Sequence, residues 1–174
     1  FIVVVTDVNT GEAVYYKMDD CDRPNMEWLR ASASQPILSR LVKIGDSAYL
    51  DGGMKDSIPL EYMQKRGYEK NIVILTQPEG FVKKQMKVMP LVKLFTLRHP
   101  HIAKSLYARP TVYNEQTAYV KSCEEKGNTL VIRPAAPLNL KTMVHDPNEL
   151  QRVYDLGRQA ALERLDEVKS FMAT

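Results

Sequence analysis

The chain opens with an unbroken apolar run of β-branched residues from Ile2 to Thr6, which ends at Asp7. β-Branched side chains pack well on a pleated surface, and a run without alternating polar residues is typical of a strand buried on both faces in a parallel sheet. Such a strand needs neighbours on both sides. We therefore expect that a segment of the same domain precedes Phe1.

Strand and helix signals alternate along the rest of the chain, which is typical of α/β proteins. A turn at Asn9-Thr10-Gly11 is followed by a second strand from Ala13 to Met18, so the first two strands are expected to form a hairpin. The sequence predicts a partly parallel sheet with helices on its faces. The other predicted strands are 48–50, 71–76 and 129–133, and the predicted helices are 26–34, 59–66, 88–97, 101–107 and 112–126.

Two of the helices have apolar faces that should pack against the body of the protein. In the helix 26–34, the sequence predicts core positions at Trp28, Leu29 and Ala33. A last helix starts near Pro147 with Asp146 as its N-cap. Its apolar side chains keep helical spacing, at Leu150, Val153, Tyr154, Ala160, Ala161, Leu165, Val168 and Met172.

Composition excludes several classes of protein. The chain is 44% hydrophobic and 26% charged with a formal charge of +3, which is typical of a globular domain and suggests no nucleic-acid partner. Cys21 and Cys123 lack a CxxC spacing and are expected to be free thiols in a reducing compartment. No apolar run approaches the roughly 20 residues of a membrane span. We expect a cytoplasmic protein without cofactor or metal, in possible peripheral contact with a membrane.

One predicted strand ends at an acidic residue that is a candidate for a catalytic role. The strand 48–50 runs into Asp51-Gly52-Gly53, which puts a carboxylate at the carboxyl end of a strand, the edge at which open α/β folds build their sites. Glycines there allow positive φ and a close backbone approach, so the acidic side chain can be presented at a tight turn. Taken alone, these three residues are also compatible with a plain turn.

Short blocks on both sides of Asp51 follow one another in a fixed order. The nearer blocks are Thr10-Gly11-Glu12, Ala31-Ser32-Ala33-Ser34-Gln35-Pro36 and Lys55-Asp56-Ser57-Ile58-Pro59-Leu60. The later blocks are 77–81, Arg109-Pro110 with Tyr113-Asn114, Ile132-Arg133-Pro134, and Tyr154 with Gly157. In this order they resemble the patatin-like phospholipase family, closely over residues 1–78 and, beyond that, one bacterial branch of it.

The resemblance implies a three-layer α/β sandwich with a mostly parallel central sheet and helices on both faces, here without its N-terminal part. Residues 1–174 would be the C-terminal part of a single patatin-like domain. Within it, residues 1–78 would be the region of the catalytic aspartate and residues 79–174 a family-specific extension of helices and a strand.

The resemblance also implies an activity, the hydrolysis of lipid or other acyl esters by a Ser–Asp dyad. Asp51 matches the family's general base, within the motif Asp51, Gly52 and Gly53. Aspartate is a weak base at neutral pH, so fixed geometry and an oxyanion hole must supply most of the rate. The serine of a Gly-x-Ser-x-Gly motif and the oxyanion loop are expected outside this chain, because none of its eight serines has that context. The fragment alone should then be inactive.

Alternatives remain open beside this reading. The chain could be a non-catalytic fragment that binds lipid or protein. Gly45-Asp46-Ser47 is similar to a block of another lipase class, but it is better explained as a hairpin turn because no Asp-x-x-His accompanies it. His99-Pro100-His101 and His145-Asp146 are better explained as helix boundaries than as a metal site or part of a triad.

The middle of the chain is basic. Between Gly80 and Pro110 there are seven Lys or Arg residues and no acidic ones, and up to Arg98 they alternate with apolar residues. Such a mixture suits peripheral contact with an anionic membrane through residues 80–98. The other interpretation is a packed helix with a solvated cationic face.

Overall fold

The computed structural model describes residues 1–85, 92, 96–97, 99–140 and 143–173. These residues are mixed α/β, which confirms the predicted class at this coarse level, and they form a four-stranded and a two-stranded sheet. They group into two compact units. Unit 1 comprises Phe1–Pro59 and Val82–Thr117, and unit 2 comprises Leu60–Phe81 and Ala118–Thr174.

The described elements follow the predicted alternation of strands and helices. The strands are β1 (Ile2–Asp7), β2 (Ala13–Lys17), β3 (Val42–Ile44), β4 (Ser47–Asp51), β5 (Asn71–Ile74) and β6 (Thr129–Ile132). The helices are α1 (Arg23–Ser32), α2 (Leu60–Lys65), α3 (Pro100–Glu125), α4 (Pro147–Glu163) and α5 (Leu165–Ala173), with one turn of 3-10 helix at Gly52–Met54.

Unit 1 contains an antiparallel sheet in the order β2-β1-β4-β3. The predicted hairpin of β1 and β2 is confirmed, with Val4 opposite Tyr15. Both neighbours of β1 are antiparallel, which differs from the parallel pairing that its apolar run predicts. An apolar run indicates that a strand is buried but not the direction of its neighbours, because an inner antiparallel strand covered by helices is buried as well. Val3 and Val5 of β1 are 3% and 0% exposed.

Helix α1 covers one part of this sheet. It begins three residues before the predicted start, because the Asp22 side chain accepts a hydrogen bond from the Asn25 N–H and Pro24 fits the first turn. Trp28 stacks on Tyr16 at 4.2 Å between ring centroids. Ala31 is the fully buried alanine of the helix, whereas Ala33 is exposed, so the predicted core position at Ala33 is wrong.

A two-residue turn sets the register of the strand that carries Asp51. Residues Gly45 and Asp46 connect β3 to β4, and Ile44 pairs with Ser47 directly beside the turn. Gly45 has φ +59°, a conformation that L side chains rarely adopt. The predicted hairpin turn at Gly45-Asp46-Ser47 is therefore confirmed.

Unit 2 contains the parallel pair β5 and β6, in which Asn71 lies opposite Thr129. All four residues of β6 are buried. In β5, by contrast, Ile74 is 73% exposed. Within the described part of the chain β5 pairs with β6 alone, so one of its edges and part of one face lack cover.

Helix α3 is continuous where the sequence predicts two helices, 101–107 and 112–126. Pro110 lies inside it and lacks the N–H that would donate to the preceding turn. Tertiary contacts of side chains on both sides of the proline, described below, outweigh this lost hydrogen bond. The helix ends before Gly127, which has φ +78° as expected of a C-terminal stop.

The end of the chain departs further from expectation. Asp146 caps α4 as predicted, by accepting a hydrogen bond from the Asn148 N–H. The predicted packing of the last helix is found in part. Neither α4 nor α5 has a fully buried residue among those described, and Leu150 and Tyr154 are exposed. Half of the predicted positions are half-buried, namely Val153, Ala160, Ala161 and Val168. The predicted helix 88–97 lies outside the described residues except at 92, 96 and 97. No helix in the described ranges is long and apolar enough to cross a membrane.

Candidate functional site

Asp51 is the last residue of β4, at the carboxyl end of the strand as predicted. Three partners fix its backbone within unit 1. Its N–H donates to the Ser34 carbonyl at 2.9 Å, and its carbonyl accepts from the Thr6 hydroxyl at 2.9 Å. It also pairs with Val5 of β1. The backbone that carries the carboxylate is therefore held from both sides.

The carboxylate of Asp51 has two unlike oxygens. Oδ1 accepts a hydrogen bond from the Gly53 N–H at 2.8 Å, which caps the 3-10 turn. Oδ2 lies 3.9 Å from Nη2 of Arg109, beyond direct hydrogen-bond distance. The side chain is 20% exposed. One oxygen thus orients the group, while the other faces a guanidinium and can accept a proton or a hydrogen bond from a ligand.

The two glycines after Asp51 serve different purposes. A Cβ on Gly52 would lie 2.3 Å from the carbonyl oxygen of Val4, so the turn packs directly on the backbone of β1. A Cβ on Gly53 would lie 3.2 Å from Oδ1 of Asp51 and 3.5 Å from Nη2 of Arg109. The expected close approach is confirmed for Gly52. The expected positive φ is wrong for both glycines.

The geometry at Gly53 suggests a substitution that should change the position of the Asp51 carboxylate without lowering the stability of the fold. In Gly53→Ala the new methyl would press on the carboxylate of Asp51 by a few tenths of an ångström, while no backbone atom blocks it. Because small displacements of reacting groups are costly, we expect kcat/KM of any reaction in which Asp51 acts as the base to fall by about 10-fold. The midpoint of thermal unfolding should change little. A fall in that midpoint as large as the one expected for Gly52→Ala would contradict this distinction.

The carbonyl of Gly53 connects the turn to helix α3 and to the loop that follows. It accepts hydrogen bonds from Nε of Arg109 and from the hydroxyl of Ser57, each at 2.8 Å. Arg109 therefore uses one edge of its guanidinium to hold the turn and directs Nη2 toward Asp51. Ser34 and Ser57, the serines beside Asp51, donate their hydroxyls to the carbonyls of Arg30 and Gly53.

Side chains on one face of α3 form hydrogen bonds with the segment that follows Asp51. Arg109, Tyr113 and Gln116 are spaced at i, i+4 and i+7, so they share this face. The amide oxygen of Gln116 accepts from the N–H groups of Ser57 and Ile58 at 3.1 Å, and its amide nitrogen donates to Asp56 at 2.6 Å. These contacts explain why the helix continues through Pro110.

Lys83 also belongs to this part of unit 1. The side chain of Asn114 clamps its backbone, accepting from the Lys83 N–H at 2.8 Å and donating to its carbonyl at 3.1 Å. The ammonium lies 4.3 Å from the centre of the Tyr113 ring. Burial and the charge of Arg109 lower the pKa of Lys83 to about 8, and the charge of Asp51 offsets this in part. Lys83 is thus a constrained, half-buried cation.

The histidines that could have belonged to a metal site or a catalytic triad have structural explanations. His99 and Pro100 mark the start of α3, and His145 precedes the N-cap of α4, as predicted for helix boundaries. His101 lines a small cavity of about 90 Å³ beside Gly11. The described ranges contain no group of three His, Cys, Asp or Glu residues placed to hold a metal ion.

Sequence reasoning found the carboxylate but not its surroundings. The sequence analysis names Arg109 and Tyr113 only as parts of a motif of the family resemblance and assigns them no contact with Asp51. It does not name Gln116. Their i, i+4, i+7 spacing was the available signal, because three polar or amphipathic side chains on one helix face call for a partner. Lys83 was read as one member of a basic segment, most of which lies outside the described residues.

Comparison with known families concerns the C-terminal part of the chain. A family described as a domain of unknown function (DUF6363) matches residues 99–173. This stretch includes Arg109, Tyr113 and Gln116 but not Asp51 or Lys83. No curated protein matches the chain.

Proposed function

We propose that this chain is the aspartate-bearing part of a serine acyl hydrolase that cleaves lipid or other acyl esters. Asp51 is the general base, and the serine nucleophile and the oxyanion loop lie in a segment outside these 174 residues. The observation that carries the proposal is the geometry of the carboxylate. Oδ1 is fixed by the Gly53 N–H at 2.8 Å, and Oδ2 remains available at the carboxyl end of β4.

The chemistry follows from this geometry. A serine hydroxyl that approaches Oδ2 transfers its proton to the carboxylate as the serine oxygen attacks the ester carbonyl. The protonated carboxyl then gives this proton to the oxygen of the leaving alcohol, whose bond to the acyl carbon breaks, and an acyl-enzyme remains. Water next attacks the acyl-enzyme and gives a proton to the same carboxylate, which passes it to the departing serine oxygen as the acid is released. Arg109, 3.9 Å from Oδ2, keeps a positive charge beside the base and orients it. The oxyanion donors have to come from the proposed missing segment.

The proposal includes the fold that the resemblance implies. The intact protein would be a three-layer sandwich with a mostly parallel central sheet, completed by strands from outside these residues. Within the described ranges one edge of β5 has no paired strand, which supports this proposal because an apolar strand edge is favourable only when a neighbouring strand pairs with it.

Peripheral contact with an anionic membrane through residues 80–98 is a further part of the proposal. The structure describes 80–85, 92, 96 and 97 of this segment, and there Val82 and Leu97 are 62% and 73% exposed. Exposed apolar side chains on the same segment as the exposed Lys84 suit the headgroup region of a bilayer.

Labelling with a serine-directed fluorophosphonate tests the proposal against the non-catalytic alternative. The protein that contains the proposed serine-bearing segment should be labelled at one serine and should hydrolyse p-nitrophenyl esters. Residues 1–174 alone should show neither, because they supply the base without the nucleophile. Labelling of the isolated chain at one of its own serines would show that the nucleophile has been misplaced. An intact protein that is folded but neither labelled nor active would favour a binding function.

A further inference from the structure

The surroundings of Asp51 contain more positive than negative charge. Lys83 and Arg109 are both partly buried. The Lys83 ammonium lies 4.3 Å from the centre of the Tyr113 ring, one turn of α3 after Arg109, and Nη2 of Arg109 lies 3.9 Å from Oδ2 of Asp51. Asp56, the next carboxylate along the chain, has neutral donors instead, the hydroxyl of Tyr15 at 2.5 Å and the amide of Gln116 at 2.6 Å. Among the residues that the structure describes here, two cations therefore share one carboxylate, which leaves one positive charge in excess.

The protein holds these cations in place despite their repulsion. Two hydrogen bonds from Asn114 fix the backbone of Lys83, and the Tyr113 ring faces its ammonium at 4.3 Å. Arg109 is anchored by its Nε–H bond to the Gly53 carbonyl at 2.8 Å. Solvated surface lysines need no such constraints. Partly buried like charges are unfavourable unless an opposite charge joins them, so a site of this kind suits an anionic ligand.

We propose that Lys83 and Arg109 bind an anionic oxygen group, a phosphate or a carboxylate, that the ester substrate carries beside the bond to be cleaved. Arg109 offers the two donors of its Nη2 edge and Lys83 a compact ammonium, and both types of group pair well with oxyanions. The identity of the anion's carrier rests on the proposed hydrolase function. The anion site itself does not, because it needs only residues of unit 1.

The protonation of Lys83 gives the site a pH dependence. With its pKa lowered to about 8, Lys83 is charged below that pH and neutral above it. The charged and titratable groups that face it are Arg109 and Tyr113 of α3 and Asp51 of β4. Burial raises the pKa of Tyr113, so the phenol stays neutral as Lys83 titrates. Anion affinity should therefore be highest below pH 8 and fall as pH rises through it.

The test measures binding, by calorimetric or NMR titration of the intact protein, with probes that do not titrate between pH 6.5 and pH 9.5. Dimethyl phosphate represents a phosphate in a headgroup, acetate a carboxylate, and glycerol is the neutral control. We expect at least one anion to bind and glycerol not to bind. Lys83→Met should weaken that anion by about 10-fold, and Lys83→Arg should restore most of the affinity and remove its decline above pH 8.

The matched control is Lys84→Met, which removes the neighbouring exposed lysine and should leave affinity unchanged. Unchanged thermal unfolding of each variant shows that it is folded. Equal affinities of Lys83→Met and Lys84→Met, or no binding of either anion to a protein that hydrolyses esters, would overturn the inference while leaving the hydrolase proposal intact. Anion binding that Lys83→Met weakens and that declines above pH 8, in a protein without esterase activity, would overturn the hydrolase proposal and leave the anion site intact. The preferred probe distinguishes phosphate-bearing from carboxylate-bearing esters.

Discussion

Replacing Asp51 by asparagine should abolish most of the proposed activity. Asparagine keeps the shape of the side chain and an oxygen that can accept the Gly53 N–H, but it cannot take a proton from a serine hydroxyl. General-base catalysis is typically worth about 10²–10⁴-fold in rate, so we expect kcat/KM of the intact protein for p-nitrophenyl esters to fall by about that factor. Steady-state kinetics on purified wild-type and Asp51→Asn proteins would measure it.

The controls for this variant concern its fold and a neighbouring carboxylate. Asp51→Asn keeps the hydrogen bond from the Gly53 N–H but removes the negative charge beside Arg109 and Lys83, so its midpoint of thermal unfolding should fall by about 2–4 °C and the variant should remain folded. Asp56→Asn removes a carboxylate with partners of its own, the Tyr15 hydroxyl and the Gln116 amide, and should retain most of the activity if it folds. Near-wild-type turnover by folded Asp51→Asn would disprove the role assigned to the aspartate.

Gly52→Ala should be the most destabilising single-methyl change in the Asp-Gly-Gly motif. The added Cβ would lie 2.3 Å from the oxygen and 2.5 Å from the carbon of the Val4 carbonyl. Val4 belongs to β1, which is hydrogen-bonded on both sides, so the strand cannot withdraw without breaking its pairing with β2 or β4. Overpacking of this severity costs about 3 kcal/mol. At this chain length the unfolding midpoint should fall by about 6–12 °C in calorimetry.

A glycine elsewhere in the chain offers the matched control. Gly157 lies inside α4, and a Cβ there would meet no atom within 4 Å. Gly157→Ala should therefore stabilise the protein by about 0.5–1 kcal/mol through better helix propensity. If Gly52→Ala unfolded at the same temperature as Gly157→Ala, the close approach of the turn to β1 would be refuted.

Much of the local structure could be predicted from sequence because local chemistry decides it. The hairpin at Gly45, the stop at Gly127 and the cap at Asp146 each depend on one residue with a special backbone or side-chain preference. The strand end at Asp51 followed from a short apolar strand that runs into glycines. These features need no knowledge of distant residues.

The errors arose where distant residues decide. The β-branched run of β1 reports burial and not strand direction, so its antiparallel neighbours could not be inferred from it. Pro110 suggested a helix end, but the contacts of Arg109 and Gln116 with the segment after Asp51 hold the helix together across it. The apolar spacing of α4 predicts a buried face, but Leu150 is exposed. Helical periodicity shows which side of a helix is apolar, and it does not show whether another element covers that side.

The anchors of Asp51 have a consequence for the order in which unit 1 can fold. Thr6 is 45 positions from Asp51 in the chain, and Arg109 is 56 positions from the Gly53 carbonyl that it holds. Each such contact closes a long loop, whose entropic cost has to be met before the contact contributes any stability. The site around the carboxylate is therefore complete only when β1, β4 and α3 have all come together. Partly folded chains, which already contain local hairpins and helices, would lack the site altogether.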